Sequence, residues 1–147
     1  MRSREKSILI VDDDRDLRDA LGVMLRARGF AVTLAADSDE ALLRLRERRP
    51  RLILLDVMMR TDTEGFDFAC WLKGQAEFID IPIIFMTGLL DRVREEGPDA
   101  FLGIAGQEWP AVWFFEKPLN LPRLLAKIEA EFVGDGPVTA FTGSVQQ

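Results

Sequence analysis

The sequence feature that most constrains the fold is a set of short apolar runs in which polar and apolar residues do not alternate. The clearest is LILL at residues 52–55, which gives way to the single carboxylate of Asp56. Such a run indicates a strand that is buried on both faces, as in the middle of a parallel sheet. Ligands of open parallel sheets bind outside the carboxyl ends of the strands, so Asp56 would lie at a candidate binding edge.

Further strands are predicted where the sequence is again short and apolar, at residues 7–11, 30–35, 81–86 and 111–115. Between these runs, apolar residues recur at helical spacing, as in Leu17, Leu21 and Leu25. Because strands alternate with helices, the sequence predicts an α/β fold with helices on both faces of the sheet. The expected architecture is a flavodoxin-like, doubly wound sheet of five parallel strands in the order 2-1-3-4-5.

The helix boundaries follow from capping residues. Gly29 is expected to end the first helix, and Asp37 or Ser38 to cap the second. A third helix is predicted to end near Gly74, and a final amphipathic helix to cover residues 121–132. Residues 89–110 contain several glycines and prolines, so we expect a short helix over about 89–96 followed by a loop.

The length of 147 residues suits one domain. We expect a folded domain over residues 1–133 and a flexible tail over 134–147, where Gly, Pro, Thr, Ser and Gln dominate. Cys70 is the one cysteine of the chain, which favours a reducing compartment. No apolar run has transmembrane length, and the first residues do not form a signal peptide. These features predict a cytoplasmic protein.

The composition also excludes several kinds of chemistry. The chain has no histidine, which rules out a histidine base, a histidine metal ligand or a histidine phosphoacceptor within it. The net charge of −6 argues against nucleic acid as a direct partner. No membrane association is expected either.

Residues able to do chemistry follow the predicted strand ends. Asp12 and Asp13 follow the first strand, Asp56 the third, Thr87 the fourth and Lys117 the fifth. Three carboxylates about 4 Å apart would repel one another by roughly 4 kcal/mol per pair at an effective dielectric constant near 20. Such a cluster needs a cation. Oxygen ligands without cysteine or histidine favour Mg²⁺. With Lys117 and Thr87 beside them, the set suits in-line phosphoryl transfer to Asp56.

Each of these signals also has a purely structural interpretation. The acidic residues after the first strand could only cap a helix and complement its dipole. Asp56 and Thr87 could be turn residues, and Lys117 could simply begin a loop. The functional hypothesis depends on all of them occurring in order, each at the end of a strand.

Four motifs resemble those of the bacterial two-component response-regulator receiver domain. They are ILIVDD at residues 8–13, LLDVMM at 54–59, FMTG at 85–88 and EKP at 116–118. The resemblance extends over residues 7–133 and is to the stand-alone, chemotaxis-regulator-like kind. It implies that Asp56 accepts phosphate from a histidine kinase or a phosphotransfer protein. It also implies that Asp12, Asp13, Asp56 and the backbone carbonyl of Met58 bind Mg²⁺.

The same resemblance assigns roles to residues of the last two strands. It implies that Thr87 and Lys117 contact the phosphoryl oxygens, that Thr87 and Phe114 form the conformational switch, and that the Lys117-Pro118 bond is cis. Phe114 also has a structural interpretation, since it lies in an apolar strand and could simply belong to the core.

The sequence departs from the family pattern at two places. Arg60 stands where the family usually has proline, and the polar loop that follows is expected to place Asp62 and Glu64 near the site. The segment between Thr87 and Lys117 is longer than usual, so we expect a monomer or a weak homodimer rather than the usual dimer. No output domain is recognised in the sequence, which predicts signalling by docking to an unknown downstream protein.

Two other functions compete with this one. A Mg²⁺-dependent phosphatase of the haloacid-dehalogenase type also uses an aspartate nucleophile after a buried strand, but it needs a general acid where Met58 stands. A receiver-like scaffold that is never phosphorylated is the other alternative. Met58 and Leu89, which flank the site by the family pattern, are apolar and cannot orient a hydrolytic water, so we expect slow self-dephosphorylation.

Overall fold

The computed structural model of the protein describes residues 5–61, 63–88 and 111–132. Strands and helices alternate up to residue 88, and residues 111–132 contain a further strand and a final helix. The elements are β1 (Ser7–Val11), α1 (Arg15–Ala27), β2 (Ala31–Ala35), α2 (Ser38–Glu47), β3 (Leu52–Asp56), α3 (Glu64–Lys73), β4 (Ile83–Thr87), β5 (Trp113–Glu116) and α4 (Leu121–Glu131). The predicted helix over 89–96 and the predicted tail lie outside the described residues.

The strands form one five-stranded sheet in the order β2-β1-β3-β4-β5, and every neighbouring pair is parallel. The predicted order is therefore confirmed. β3 lies at the centre of the sheet between β1 and β4, and every residue of these three strands is buried.

Alternate residues of each strand face different helical layers, as the pleat of a strand requires. Ile8, Ile10 and Leu54 pack with residues of α1 and α4 on one face. Leu9 and Ile53 pack with residues of α2 and α3 on the other face. Full burial of one such side chain contributes about 1.5–3 kcal/mol, so these two layers dominate the stability of the sheet.

The helix ends follow the predicted chemistry. The side chain of Asp14 accepts a hydrogen bond from the N–H of Leu17 at 3.2 Å, which caps α1. The cap of α2 is Asp37 rather than Ser38, and its side chain accepts from the N–H of Glu40 at 2.8 Å. Gly29 has φ 92°, a left-handed conformation that glycine adopts without steric cost, and it ends the turn after α1.

Three strands begin later than predicted, and β2 begins at Ala31 instead of Phe30. β4 begins at Ile83 instead of Ile81, because the N–H of Ile81 donates to the carbonyl of Phe78 and Pro82 has no N–H to give. β5 begins at Trp113, although the N–H of Val112 already bonds the carbonyl of Ile83 at 2.8 Å. β4 and β5 also end one residue later than predicted, at Thr87 and Glu116, so the predicted site residues still lie at strand ends.

Within the described ranges, no helix combines the length and the apolar character that crossing a bilayer requires.

Candidate functional site

The carboxyl ends of the central strands bring the predicted site residues to one edge of the sheet. Asp12 follows β1 directly, Asp56 ends β3, Thr87 ends β4 and Lys117 follows β5. The strand register pairs Asp56 with Met86 and Thr87 with Glu116, so these ends lie level with one another. The predicted convergence is thus a direct consequence of the parallel pairing.

Three carboxylates meet at this edge. Asp12, Asp13 and Asp56 each offer an oxygen within 4.8 Å of the others. Asp12 is fully buried and Asp56 is 3% exposed, whereas Asp13 faces solvent. Burial of two like charges at this distance is unfavourable, and the oxygen donor set matches the ligands that a hard divalent cation such as Mg²⁺ prefers.

Lys117 lies between the two buried carboxylates. Its Nζ is 3.0 Å from Oδ2 of Asp12 and 3.2 Å from Oδ2 of Asp56. The backbone N–H of Lys117 donates to the carbonyl of Thr87 at 2.8 Å, and the bond to Pro118 is cis, as expected. One ammonium group therefore holds both carboxylates in place.

Burial and neighbouring charges shift the pKa values of Asp56 and Lys117. Burial, and then the neighbouring charge of Asp12, raise the pKa of Asp56 to about 7, although Lys117 acts in the opposite direction. Burial by itself would lower the pKa of Lys117, but the two carboxylates outweigh it and raise that pKa. Asp56 is therefore a buried carboxyl group whose ionised form needs positive charge nearby.

Backbone groups fix the orientation of both buried carboxylates. Oδ1 of Asp12 accepts from the N–H of Asp14 at 2.9 Å, and Arg18 donates to the carbonyl of Asp12 at 2.8 Å. Oδ1 of Asp56 accepts from the N–H of Met58 at 3.2 Å. Since Lys117 occupies Oδ2 in both cases, each carboxylate is held from two sides.

Thr87 and Phe114 lie on adjacent strands behind this cluster. Thr87 is 3% exposed. Phe114 stands opposite Phe85 in the β4–β5 ladder and packs against the layer that contains α2 and α3. This packing agrees with the core interpretation of Phe114, and its switch role stays a prediction.

An ion pair that the sequence does not predict joins the loop after β3 to the first residue of α3. Arg60 donates to both carboxylate oxygens of Glu64, at 2.6 Å from Nη2 and 3.0 Å from Nε. Glu64 also accepts from the N–H and the hydroxyl of Ser38. Glu64 therefore binds the start of α2 and is not part of the three-carboxylate cluster, while Asp62 lies outside the described residues. The four-residue separation of Arg60 and Glu64 indicates a contact only within a helix, and Arg60 precedes α3, so the sequence pattern alone does not predict this pair.

The assembled site contains a buried carboxylate, a set of oxygens of the kind that a hard cation prefers, and an ammonium group between two carboxylates. Among the predicted residues of the described ranges, it unites Asp12, Asp13, Asp56 and Lys117 in one cluster. Met58 joins it through its backbone N–H. Such a combination can neutralise and position an incoming phosphoryl group, which is the main demand of phosphoryl transfer.

Comparisons with known proteins agree with this geometry. Residues 8–129 match the family model of the response regulator receiver domain. The chain is 33% identical over 130 residues to the DNA-binding response regulator MtrA of Mycobacterium bovis, which covers 88% of this chain and 52% of MtrA. It is 37% identical over 123 residues to the response regulator MprA of Mycobacterium tuberculosis, covering 84% of this chain and 49% of MprA. The chain thus spans about half the length of these curated relatives.

Solved structures show the same fold. A response regulator receiver protein from Pseudomonas putida has a TM-score of 0.68 at 30% identity, covering 86% of this chain and 98% of that one. The chemotaxis response regulator CheY4 of Vibrio cholerae has a TM-score of 0.67 at 28% identity, again covering 86% and 98%. Receiver domains are signalling modules of two-component systems. With the family model matched over most of its length, the chain belongs to the response regulator receiver domain family.

Proposed function

We propose that this receiver accepts a phosphoryl group on Asp56 from a histidine kinase or a phosphotransfer protein, and that it signals by docking to another protein. The observation that carries the proposal is the position of Lys117, whose Nζ lies within 3.2 Å of carboxylate oxygens of both Asp12 and Asp56. Residues from separate strand ends thus surround one carboxylate nucleophile.

The transfer itself follows from this arrangement. An oxygen of Asp56 attacks phosphorus, and the phosphorus–nitrogen bond of the donor breaks with its electron pair left on the donor nitrogen. Asp12, Asp13, Asp56 and the carbonyl of Met58 would hold Mg²⁺, which supplies positive charge to the transferred oxygens. Lys117 and the hydroxyl of Thr87 then hold the phosphoryl oxygens, so that a change in the position of Thr87 and Phe114 reports the modification.

The whole-protein features are part of the same proposal. Residues 1–133 form the receiver and 134–147 a tail, in a cytoplasmic protein that is a monomer or a weak homodimer. Its chemistry is limited to acceptance and loss of its own phosphoryl group. MtrA is a DNA-binding regulator by name, and the match covers 52% of MtrA. The downstream partner that we propose for this chain is a protein.

Incubation with Mg²⁺ and a small-molecule phosphodonor tests the proposal. We expect a phosphate-sized mass gain in the wild type and none in Asp56→Asn. Asp19→Asn is the matched control, because Asp19 is an exposed aspartate of α1 that pairs with Arg15. A wild type without any mass gain would favour a scaffold that is never phosphorylated.

A phosphatase is disfavoured by the structure around Met58. A phosphatase of this type needs a general acid at position 58. The Met58 side chain is a thioether, which cannot donate a proton, and it packs partly against the core. Steady turnover of a phosphoester substrate would reverse this conclusion.

A further inference from the structure

We propose that Arg60 and Glu64 are positioning residues of the site, because their ion pair holds the loop that orients Asp56. The inference deepens the proposed function and rests on it. Arg60, Glu64 and Ser38 form a connected unit, here called the clasp. The clasp ties the loop between β3 and α3 to the first residue of α2.

The contacts within the clasp are numerous and directional. Arg60 reaches Glu64 through its backbone N–H, its Nε and its Nη2, at 3.0, 3.0 and 2.6 Å. The Glu64 side chain is 10% exposed, and its Oε2 also accepts from the N–H and hydroxyl of Ser38 at 3.0 and 2.7 Å. A forked guanidinium–carboxylate pair of this kind fixes direction as well as distance.

The clasp is reinforced on its solvent side. Nη1 of Arg60 lies 3.3 Å from Asp39 and 3.9 Å from Asp37, so Arg60 spans the acidic first turn of α2. Arg60 therefore connects the loop after β3 to the first turn of α2 and is not an isolated surface charge.

The other end of the same loop holds the nucleophile. The N–H of Met58 donates to Oδ1 of Asp56 at 3.2 Å, and only Met59 separates Met58 from Arg60. Met59 in turn donates its N–H to the carbonyl of Thr61 at 3.0 Å. A loop fastened at both ends keeps the Met58 amide directed at Asp56, and releasing the clasp frees that amide to turn away.

The alternative is that Arg60 and Glu64 act only through their charges. The two explanations predict opposite changes in Mg²⁺ affinity when Arg60 is removed. Removal of a positive charge near an acidic cluster strengthens binding of a divalent cation, and removal of a negative charge weakens it. Loss of positioning weakens binding in both cases, since residues that orient metal ligands typically contribute about tenfold or more to metal affinity.

The test is calorimetric titration of the folded full-length chain with Mg²⁺. We expect the dissociation constant to rise about tenfold in both Arg60→Ala and Glu64→Ala. Matched controls are Arg44→Ala and Glu47→Ala, which break an ion pair on α2 and carry the same charge changes. These controls should change the constant less than about twofold. Arg60→Ala that binds Mg²⁺ as tightly as the wild type, or more tightly, overturns the proposal.

Hydrogen exchange of the Met58 amide is a readout that does not need the metal. We expect faster exchange in Arg60→Ala and in Glu64→Ala than in the wild type, with unchanged exchange in the α2 controls. If exchange of the Met58 amide is unchanged in both variants, this result alone overturns the proposal that the clasp positions that amide. A wild type that binds no Mg²⁺ contradicts the proposed function instead, so the two failures are distinguishable.

Discussion

Asp56 is buried beside another carboxylate, and this position works against the stability of the metal-free protein. An acid whose pKa is raised in the folded state loses stability as pH rises from the unfolded-state pKa to the folded-state pKa. For Asp56 these limits are 3.8 and about 7. The penalty is therefore absent below pH ~4 and complete above pH ~7.

This penalty gives a testable consequence for Asp56→Asn. Without Mg²⁺, the variant should be more stable than the wild type by more than about 1 kcal/mol at pH 8, because the amide carries no charge to bury. The difference should disappear near pH 4. Urea unfolding in the presence of a chelator, at several pH values, measures it. Asp19→Asn, which changes an exposed carboxylate, should stay within about 0.5 kcal/mol of the wild type throughout.

We expect Met58 to affect a different property, the lifetime of the phosphorylated state that we propose. Its thioether cannot orient a water molecule for attack on the acyl phosphate. We expect Met58→Gln, whose amide can hold a water, to shorten the lifetime roughly tenfold. The decay of the phosphate-sized mass gain measures it after removal of the phosphodonor. A wild-type phosphoprotein that survives only for seconds would contradict the role assigned to Met58.

At the residue scale, the sequence predicts those site residues that have a reactive or charged side chain and also follow an apolar strand directly. Asp12, Asp56 and Lys117 were identifiable because each follows an apolar run, and parallel strands bring such positions together. Arg60 and Glu64 were not placed correctly, because their pairing depends on how a polar loop folds back on α2. A sequence pattern does not determine that fold-back.

At the scale of elements, the start of α3 lies unusually close to the end of β3. The N–H of Gly65 donates to the carbonyl of Val57 at 2.7 Å. A Cβ added at Gly65 would meet the carbonyl oxygen of Asp56 at 1.8 Å, well inside van der Waals contact. Glycine is therefore needed here, because any larger residue would clash with the backbone of Asp56.

Two glycine substitutions should consequently have opposite effects. Gly65→Ala should lose more than about 2 kcal/mol of folding free energy, because the backbone of β3 has to move. Gly22→Ala, in the middle of α1, should gain about 0.5–1 kcal/mol, since its Cβ would meet Leu34 at an ordinary 3.5 Å. Urea unfolding of both variants checks the pair. A stable Gly65→Ala protein would show that β3 and α3 can separate without cost.

The clasp between α2 and α3 should also affect acid stability. Hydrogen bonds from Arg60, opposed by burial and assisted by Ser38, lower the pKa of Glu64 to about 2. A lowered folded-state pKa gives stability that is complete above the unfolded value of 4.5 and is lost as pH falls toward 2.

Glu64→Gln should therefore destabilise the protein at neutral pH and flatten its acid unfolding curve between pH ~4.5 and ~2. The variant and the wild type should approach the same stability at the acid end of this range. Circular dichroism at several pH values follows the transition. Glu47→Gln, in an exposed pair on α2, serves as the control and should keep the wild-type curve.

Element boundaries show where local sequence rules hold and where they fail. The caps Asp14 and Asp37 were predictable because a short side-chain oxygen before an apolar-periodic segment satisfies free helix N–H groups. The start of β4 was misplaced because Ile81 is apolar like its neighbours. Its N–H is taken by a turn to Phe78, and composition does not reveal that bond.

For the whole molecule, the strand order was predictable because few topologies allow five parallel strands with short right-handed crossovers. The same topology creates a built-in conflict. The central strands β1, β3 and β4 are apolar except for Ser7 at the start of β1 and for Asp56 and Thr87 at the ends of β3 and β4. The charged side chains that end or follow these strands therefore lie together at one edge of the sheet. The hydrophobic layers that stabilise the sheet thus impose the repulsion among Asp12, Asp13 and Asp56.

A divalent cation should relieve this conflict and stabilise the entire domain. A ligand that binds only the folded state at about 100 times its dissociation constant adds about 2.7 kcal/mol. For a domain of this size we expect the midpoint of thermal unfolding to rise by roughly 5–10 °C. Asp13→Asn should remove most of this rise while changing the metal-free midpoint little, because Asp13 is exposed. An equal rise in NaCl of matched ionic strength would mean that charge screening, rather than a bound ion, relieves the repulsion.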